Sequence, residues 1–390
     1  MRSVSLLALV AVALTAAPSL AQPPPNQIAS FLSEAGGPVG VYPIVAGLDR
    51  PWGMAFLPDG RMLVTERPGH LRIVTPDGGV SAPVEGVPEV YGRGQGGLLD
   101  VALDPDFGSN GYVYLSYARS RPDGDGNEGA TAVGRGRFVD DRIDGFEVLF
   151  TAEPYMGGGA HFGSRIAFGP DGHLFLTTGE RFQFEPAQDL STALGTVVRL
   201  NRDGTVPEDN PFVDVPEAEG AIWSYGHRNV QAAAFDKVTG ALYVAEMGPL
   251  GGDELNRVER GANYGWPVVS WGMDYDGERI PDPSTRPEFE DATAVWTPVI
   301  APSGMAHYTG DDVPGWQGSF FIGSLVYRGL VRIVVEDGAV ASQEIFPIGQ
   351  RIREVEQGPD GRLYLLTDRP GPEGQVLVLR AIDTRPPPAD

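Results

Sequence analysis

The 390-residue chain contains no cysteine, which excludes disulfides, thiolate metal ligands and a lipid anchor carried on cysteine. It has one lysine, Lys237, in a turn-like stretch, so chemistry through a lysine Schiff base is set aside. Positive charge is scarce: 29 Lys and Arg face 52 Asp and Glu, for a formal net charge of −23. A chain this acidic repels nucleic-acid phosphates and anionic lipid surfaces, and a neutral substrate is the easier partner. No apolar run reaches the ~20 residues needed to cross a bilayer, so membrane insertion is not expected.

The N-terminus begins Met1-Arg2, continues apolar through 6–17, and then reads Pro18-Ser19-Leu20-Ala21 before Gln22. A charged start, a short apolar core and small residues at the end describe a secretory signal, with cleavage expected after Ala21 and a periplasmic or secreted product. Beyond this leader (1–21) the expected organisation is an N-terminal extension (22–38), one large domain (39–383) and a short Pro-rich tail (384–390).

The domain is written in repeated turns. Ala55-Phe56-Leu57-Pro58-Asp59-Gly60 precedes Met62-Leu63-Val64, Ala167-Phe168-Gly169-Pro170-Asp171-Gly172 precedes Leu174-Phe175-Leu176, and Gln357-Gly358-Pro359-Asp360-Gly361 precedes Leu363-Tyr364-Leu365. Looser copies begin at Ala102, Ala234 and Met305. Proline presets one turn residue, aspartate bonds its own backbone, glycine accepts positive φ, and β-branched or aromatic residues flank the turn, so each copy reads as a hairpin. Six hairpins without a long amphipathic helix predict an all-β fold, a six-bladed β-propeller of four-stranded antiparallel blades. The apolar stretches 41–45 and 376–379 are expected to complete one blade together and close the ring.

Among the five histidines, His161 follows Gly157-Gly158-Gly159-Ala160 and opens His161-Phe162-Gly163-Ser164-Arg165. An imidazole suits a general base near neutral pH, although a lone loop histidine equally suits packing. Trp223-Ser224-Tyr225-Gly226-His227-Arg228-Asn229 gathers aromatic, cationic and amide groups, fitting either a clamp for an anion or quinone or a capped loop. Arg351-Ile352-Arg353 puts two guanidinium groups on one face of a strand, as a multiply charged carboxylate would require, or as an ordinary surface pair would show. Met247-Gly248-Pro249 ahead of Gly251-Gly252-Asp253-Glu254 offers hard oxygen ligands compatible with calcium, outside any EF-hand pattern.

Together with Gly94-Gln95-Gly96-Gly97-Leu98-Leu99-Asp100, Asn263-Tyr264-Gly265-Trp266-Pro267, Pro51-Trp52-Gly53 and Gly349-Gln350-Arg351-Ile352-Arg353, these motifs resemble, in order and over nearly the whole domain, the soluble pyrroloquinoline-quinone (PQQ)-dependent aldose dehydrogenases of the glucose/sorbosone type. The resemblance implies a quinone over the propeller axis and a catalytic base at His161, which takes the proton of the anomeric hydroxyl while hydride passes to the quinone C5 and a lactone forms. It implies Glu180 as the acid that orients His161. Arg228, Asn229, Gln95, Tyr275, Arg351 and Arg353 match cofactor contacts, and Arg228 also stabilises charge on the quinone. Gly248, Pro249, Glu254 and Tyr264 match calcium positions. The implied partners are an aldose and a small electron carrier or cytochrome as acceptor.

Two positions depart from the family pattern. Val326 stands where relatives commonly carry a lysine that contacts the quinone, and Met247 stands where histidine is frequent. Arg328, two residues on, replaces that cation only if strand alternation holds there. These departures leave a second reading open: a propeller without redox chemistry that binds a carbohydrate or partner, or hydrolyses a lactone with calcium alone.

Overall fold

A computed structural model describes residues 26–383. The expected leader with its cleavage site and the expected 384–390 tail lie outside the described residues.

Within them the chain forms six antiparallel sheets in radial succession. The first blade is built on Pro51–Phe56, Met62–Glu66 and His70–Val74. Its outer edge is extended by a bridge from Val74 to Val80 and by bonds from Ser81 and Val84 back to Ile73 and Leu71. The second begins with Leu98–Leu103, the third with Ile166–Phe168, the fourth with Val230–Phe235 and the fifth with Pro302–His307, and each of these adds three further strands in sequence order. The sixth begins with Ile352–Gln357. The six innermost strands touch one another around a closed ring, which places them at a central axis.

The expected closure is present. Gly37–Leu48 pairs with Gly374–Ala381, with Val41 opposite Leu379, so an N-terminal strand and the last described strand share the sixth blade. A further strand, Ala29–Ser33, pairs outside Gly37–Leu48, so this sheet has five strands and begins earlier than the boundary expected at 39. Its seam is apolar: Val39, Val41, Leu377 and Leu379 pack with Trp316, Phe321 and Phe346 of the neighbouring blade.

The Pro-Asp-Gly turns do what their chemistry dictates. Gly60, Gly172 and Gly361 have φ of 85°, 83° and 76°, and the Oδ1 atoms of Asp59, Asp171 and Asp360 accept the main-chain N–H two residues on. Each turn joins the first strand of a blade to the second. Antiparallel order then sends the connections entering each first strand, and those leaving each second strand, to the opposite face. The candidate site residues lie on those connections or at the strand ends beside them, except Tyr264 and Tyr275, which come from the long connection between Asp253–Arg257 and Ala294–Trp296 of the fourth blade.

Candidate functional site

His161 lies on the connection into the third blade, with a left-handed φ of 52°. Its main-chain N–H donates to Gln95 Oε1 (2.9 Å), from the connection into the second blade. These two loops meet because glycine permits it: Gln95 N–H donates to Gly159 O at 2.6 Å, and a Cβ on Gly94 would lie 2.3 Å from that oxygen. The imidazole Nδ1 is 2.9 Å from Glu180 Oε1, and Glu180 is fully buried just beyond the end of Leu174–Thr177. A carboxylate only accepts, so Nδ1 carries the proton and Nε2 is the free, basic nitrogen. Burial lowers the pKa of His161; Glu180 acts in the opposite sense, and Arg228 and Arg181 add to the lowering.

Arg228 lies on the connection into the fourth blade. Its Nη1 donates to the carbonyls of Met247 and Gly248, both at 3.0 Å, and its Nη2 to the Tyr275 hydroxyl at 2.7 Å. The guanidinium lies 5.1 Å from the Trp266 ring centroid. Asn229 Oδ1 accepts the Gly163 N–H (3.1 Å), tying Asn229 to the His161 loop. The rest of that motif divides. His227 turns into the core, between Ser224 Oγ (2.9 Å) and Glu246 Oε1 (2.8 Å), and Trp223 packs edge-on against Phe175, so neither joins a clamp.

Arg351 and Arg353 share one acid, with Nη2 atoms 2.7 and 3.5 Å from Asp368 Oδ2. Burial alone would raise the pKa of Asp368, but Arg353, Arg351 and Arg67 hold it low. Burial, with repulsion from Arg165, Arg67 and Arg351, pushes Arg353 down to about 10 despite Asp368. One carboxylate therefore serves three guanidinium groups, which leaves a local surplus of positive charge on an acidic protein. Below it, Arg165 stacks 4.0 Å from the Trp52 ring centroid and pairs with Asp100 (3.1 Å) and Glu354, closing the axis under the site.

Three buried donors in this region have no partner: Nε of Arg228, Nε of Arg353 and Nε1 of Trp266. A buried donor left unpaired costs about 1–3 kcal/mol, so these atoms fit a planar, acceptor-rich anion lying over them. A cavity of about 500 Å³ on the axis, lined by Lys237, His307 and Glu356, lies at the turn-bearing end and contains none of these groups.

The four calcium candidates separate. Gly248 O accepts from Arg228, while Gly248 N–H donates to Asp253 Oδ1 (2.8 Å). Asp253 is a fastener whose other oxygen accepts from Ile300 and Ala301 N–H. Pro249 is buried in the same turn. Glu254 lies across the sheet from Glu246, with Asn256 Nδ2 3.1 Å from an oxygen of each. Burial and the charge of Glu246 push Glu254 up to about 8. Gly248, Glu246, Glu254 and Tyr264 line a cavity of about 10 Å³, room for one small ion or water. The Tyr264 hydroxyl is committed to Arg257 O and Glu259 N–H, so its phenol does not serve as a ligand and only its backbone could. Among the described residues no group of three or more His, Cys, Asp or Glu side chains is placed to hold a metal.

Val326 is exposed in the turn after Ser319–Ser324, next to Leu325, whose carbonyl accepts from Arg351 Nη1 (3.2 Å). Arg328 is exposed with φ 57°, so strand alternation does not reach it. Sequence reasoning missed Arg67, Asp368, Trp266 and Phe182.

Fold and site together define an enzyme of the propeller class, with an acid-oriented imidazole and a guanidinium cluster at the same end of the axis. Residues 48–378 match the Glucose / Sorbosone dehydrogenase family, and the chain belongs to that family of sugar oxidoreductases. It is 43% identical over 352 residues to Aldose sugar dehydrogenase YliI of Escherichia coli, covering 87% of this chain and 93% of that one. It is 29% identical over 418 residues to Quinoprotein glucose dehydrogenase B of Acinetobacter calcoaceticus, covering 84% and 85%. The apo-form structure of the soluble E. coli aldose sugar dehydrogenase superposes with a TM-score of 0.82 at 41% identity, covering 87% of this chain and 99% of that one. The PQQ-bound aldose sugar dehydrogenase of Streptomyces coelicolor superposes with a TM-score of 0.71 at 30% identity, covering 90% and 99%.

Proposed function

We propose that the chain is an exported, PQQ- and calcium-dependent aldose dehydrogenase that oxidises the anomeric carbon of an aldose to the lactone. The observation that carries this reading is the His161–Glu180 pair beside Arg228, at the same end of the axis as Arg351 and Arg353, with buried Nε donors unpaired in Arg228 and Arg353. A lactone hydrolase or a binding propeller would leave that cradle without a ligand.

Bound there with calcium, the quinone supplies a two-electron acceptor for the hydride that leaves C1. The residues of the chain do the rest. His161 Nε2 takes the proton of the anomeric hydroxyl, and Glu180 stabilises the imidazolium that results. Arg228 and Asn229 offer positive charge and a donor where negative charge grows on the acceptor oxygen. Arg351 and Arg353 hold carboxylates, and Gln95 fixes the His161 backbone. The Tyr275 hydroxyl positions Arg228. Gly248 and Pro249 would hold the cofactor calcium, and Glu254 with the Tyr264 backbone a cation in the small cavity. A small soluble carrier or a cytochrome would take the electrons onward.

The test is reconstitution of purified apoprotein with PQQ and calcium, followed by dye reduction with a panel of aldoses. Turnover that needs both additions is expected. Turnover without quinone, or no quinone binding at micromolar concentration, would refute the reading. Calcium should also raise the Tm of apoprotein, and Glu254→Gln should reduce that rise.

A further inference from the structure

The segment after Glu180 is strained. Arg181, Phe182 and Phe184 have φ of 62°, 60° and 66°, left-handed conformations that bulky residues rarely adopt and that glycine takes without cost. The surroundings impose them. Arg181 is 2% exposed, and its guanidinium donates to the carbonyls of Ala160 (3.0 Å), Gly158 (3.1 Å) and Gly129 and lies 3.8 Å from the Phe162 ring centroid. Glu180 Oε2 accepts the main-chain N–H of Phe182 and that of Gln183 (3.3 Å). The acid that orients the base therefore also fixes Phe182.

Core packing does not account for this strain, because the Phe182 residue is 44% exposed. Its ring stands edge-on to the His161 imidazole with centroids 5.1 Å apart, and 5.8 Å from the Tyr275 ring. Phe184 supports it at 5.3 Å and rests in turn on Trp266 at 5.4 Å. Strain held in place beside reacting groups points to a functional constraint.

We propose that Phe182 is a specificity-determining residue whose ring takes the apolar C–H face of an aldopyranose. This rests on the aldose-oxidation reading above. Glu180 occupies Nδ1 of His161, so a substrate hydroxyl reaches only Nε2, at about 2.8 Å. A six-membered sugar ring carrying that hydroxyl then lies within contact range of an aromatic ring centred 5.1 Å from the imidazole. A flat aromatic face beside a few polar groups is the usual way a site grips a ring bearing both C–H and O–H groups.

Phe182→Gly removes the ring and suits the backbone, so it separates sugar recognition from folding. The experiment measures PQQ binding to apoprotein by absorbance titration, Tm, and steady-state oxidation of glucose and xylose, for wild type, Phe182→Gly and Phe182→Trp. The expected result for Phe182→Gly is unchanged PQQ affinity, a Tm equal to or above wild type, and KM raised about tenfold with kcat within about threefold; Phe182→Trp should restore KM. An unchanged KM, or a loss of PQQ affinity in place of a KM effect, overturns the proposal while leaving the dehydrogenase reading intact. A wild-type protein that oxidises no aldose overturns both.

Discussion

Glu180 holds His161 through Nδ1 at 2.9 Å, and this one contact decides which nitrogen of the ring can act as a base. The proton-accepting Nε2 is thereby presented in a fixed tautomer. His161→Gln keeps a polar side chain but cannot accept and hold a proton. Turnover should fall about 100-fold or more, the scale of a lost general base, while PQQ affinity stays nearly unchanged. Rapid-mixing reduction of the reconstituted cofactor by sugar measures the step directly, and wild-type rates in this variant would remove His161 from the chemistry.

The pH profile follows from the same pair. His161 works as the neutral base, and burial lowers its pKa from the ordinary value of 6.5. The neutral fraction is lost only as pH falls through that lowered value, so the acid limb of kcat/KM should lie below pH 6.5. Glu180 raises the His161 pKa against the effect of burial, so Glu180→Gln should move the limb lower still. It should also reduce the plateau about tenfold or more, because an amide does not enforce the tautomer. A limb at or above 6.5 in wild type would contradict the burial seen around His161.

The sequence made the hairpins legible because each Pro-Asp-Gly turn is a local device, complete within six residues. It also exposed His161, Arg228 and the 351–353 pair, which sit in recognisable motifs. The supporting acids were harder to see because their partners are far away in sequence. Glu66, Glu180, Glu246 and Asp368 each stand at or just beyond the end of the second strand of a blade, and each ties down the connection entering that blade. Glu66 accepts Asp49 N–H (2.7 Å), Glu246 accepts Arg228 N–H (2.6 Å), and Asp368 takes Arg351 and Arg353. In four of the six blades the repeat carried that signal, as an acid at the end of the second strand or within three residues of it. His227 misled because its motif neighbours reach the site while its own ring turns into the core toward Glu246. Phe182 left no sequence signal, since its importance lies in a backbone conformation that nothing about phenylalanine announces.

Val326 is exposed next to the carbonyl that receives Arg351, so a longer side chain there needs no repacking. Val326→Lys should add a cation at the edge of the arginine cluster. A partly solvated charge pair contributes about 0.2–1 kcal/mol, so PQQ should bind a few-fold more tightly, with the gain shrinking as salt is raised. Equilibrium titration at two ionic strengths checks this. Unchanged affinity at low salt would mean that position 326 does not face the cofactor.

Ring closure should make the terminal seam a large contributor to stability. Leu379 is 1% exposed, lies opposite Val41, and packs in the cluster that also holds Trp316, Phe321 and Phe346. Truncating a buried leucine removes transfer energy and leaves a cavity, at a cost of about 2–5 kcal/mol. Leu379→Ala should therefore lower the denaturant midpoint markedly. The seam joins two strands from opposite ends of the chain, so it has no local turn to hold it once its packing weakens. Val340, exposed on an outer strand, provides the comparison, and Val340→Ala should change stability by less than about 0.5 kcal/mol. Equal effects of the two substitutions in urea titrations would show that the ring does not depend on its seam.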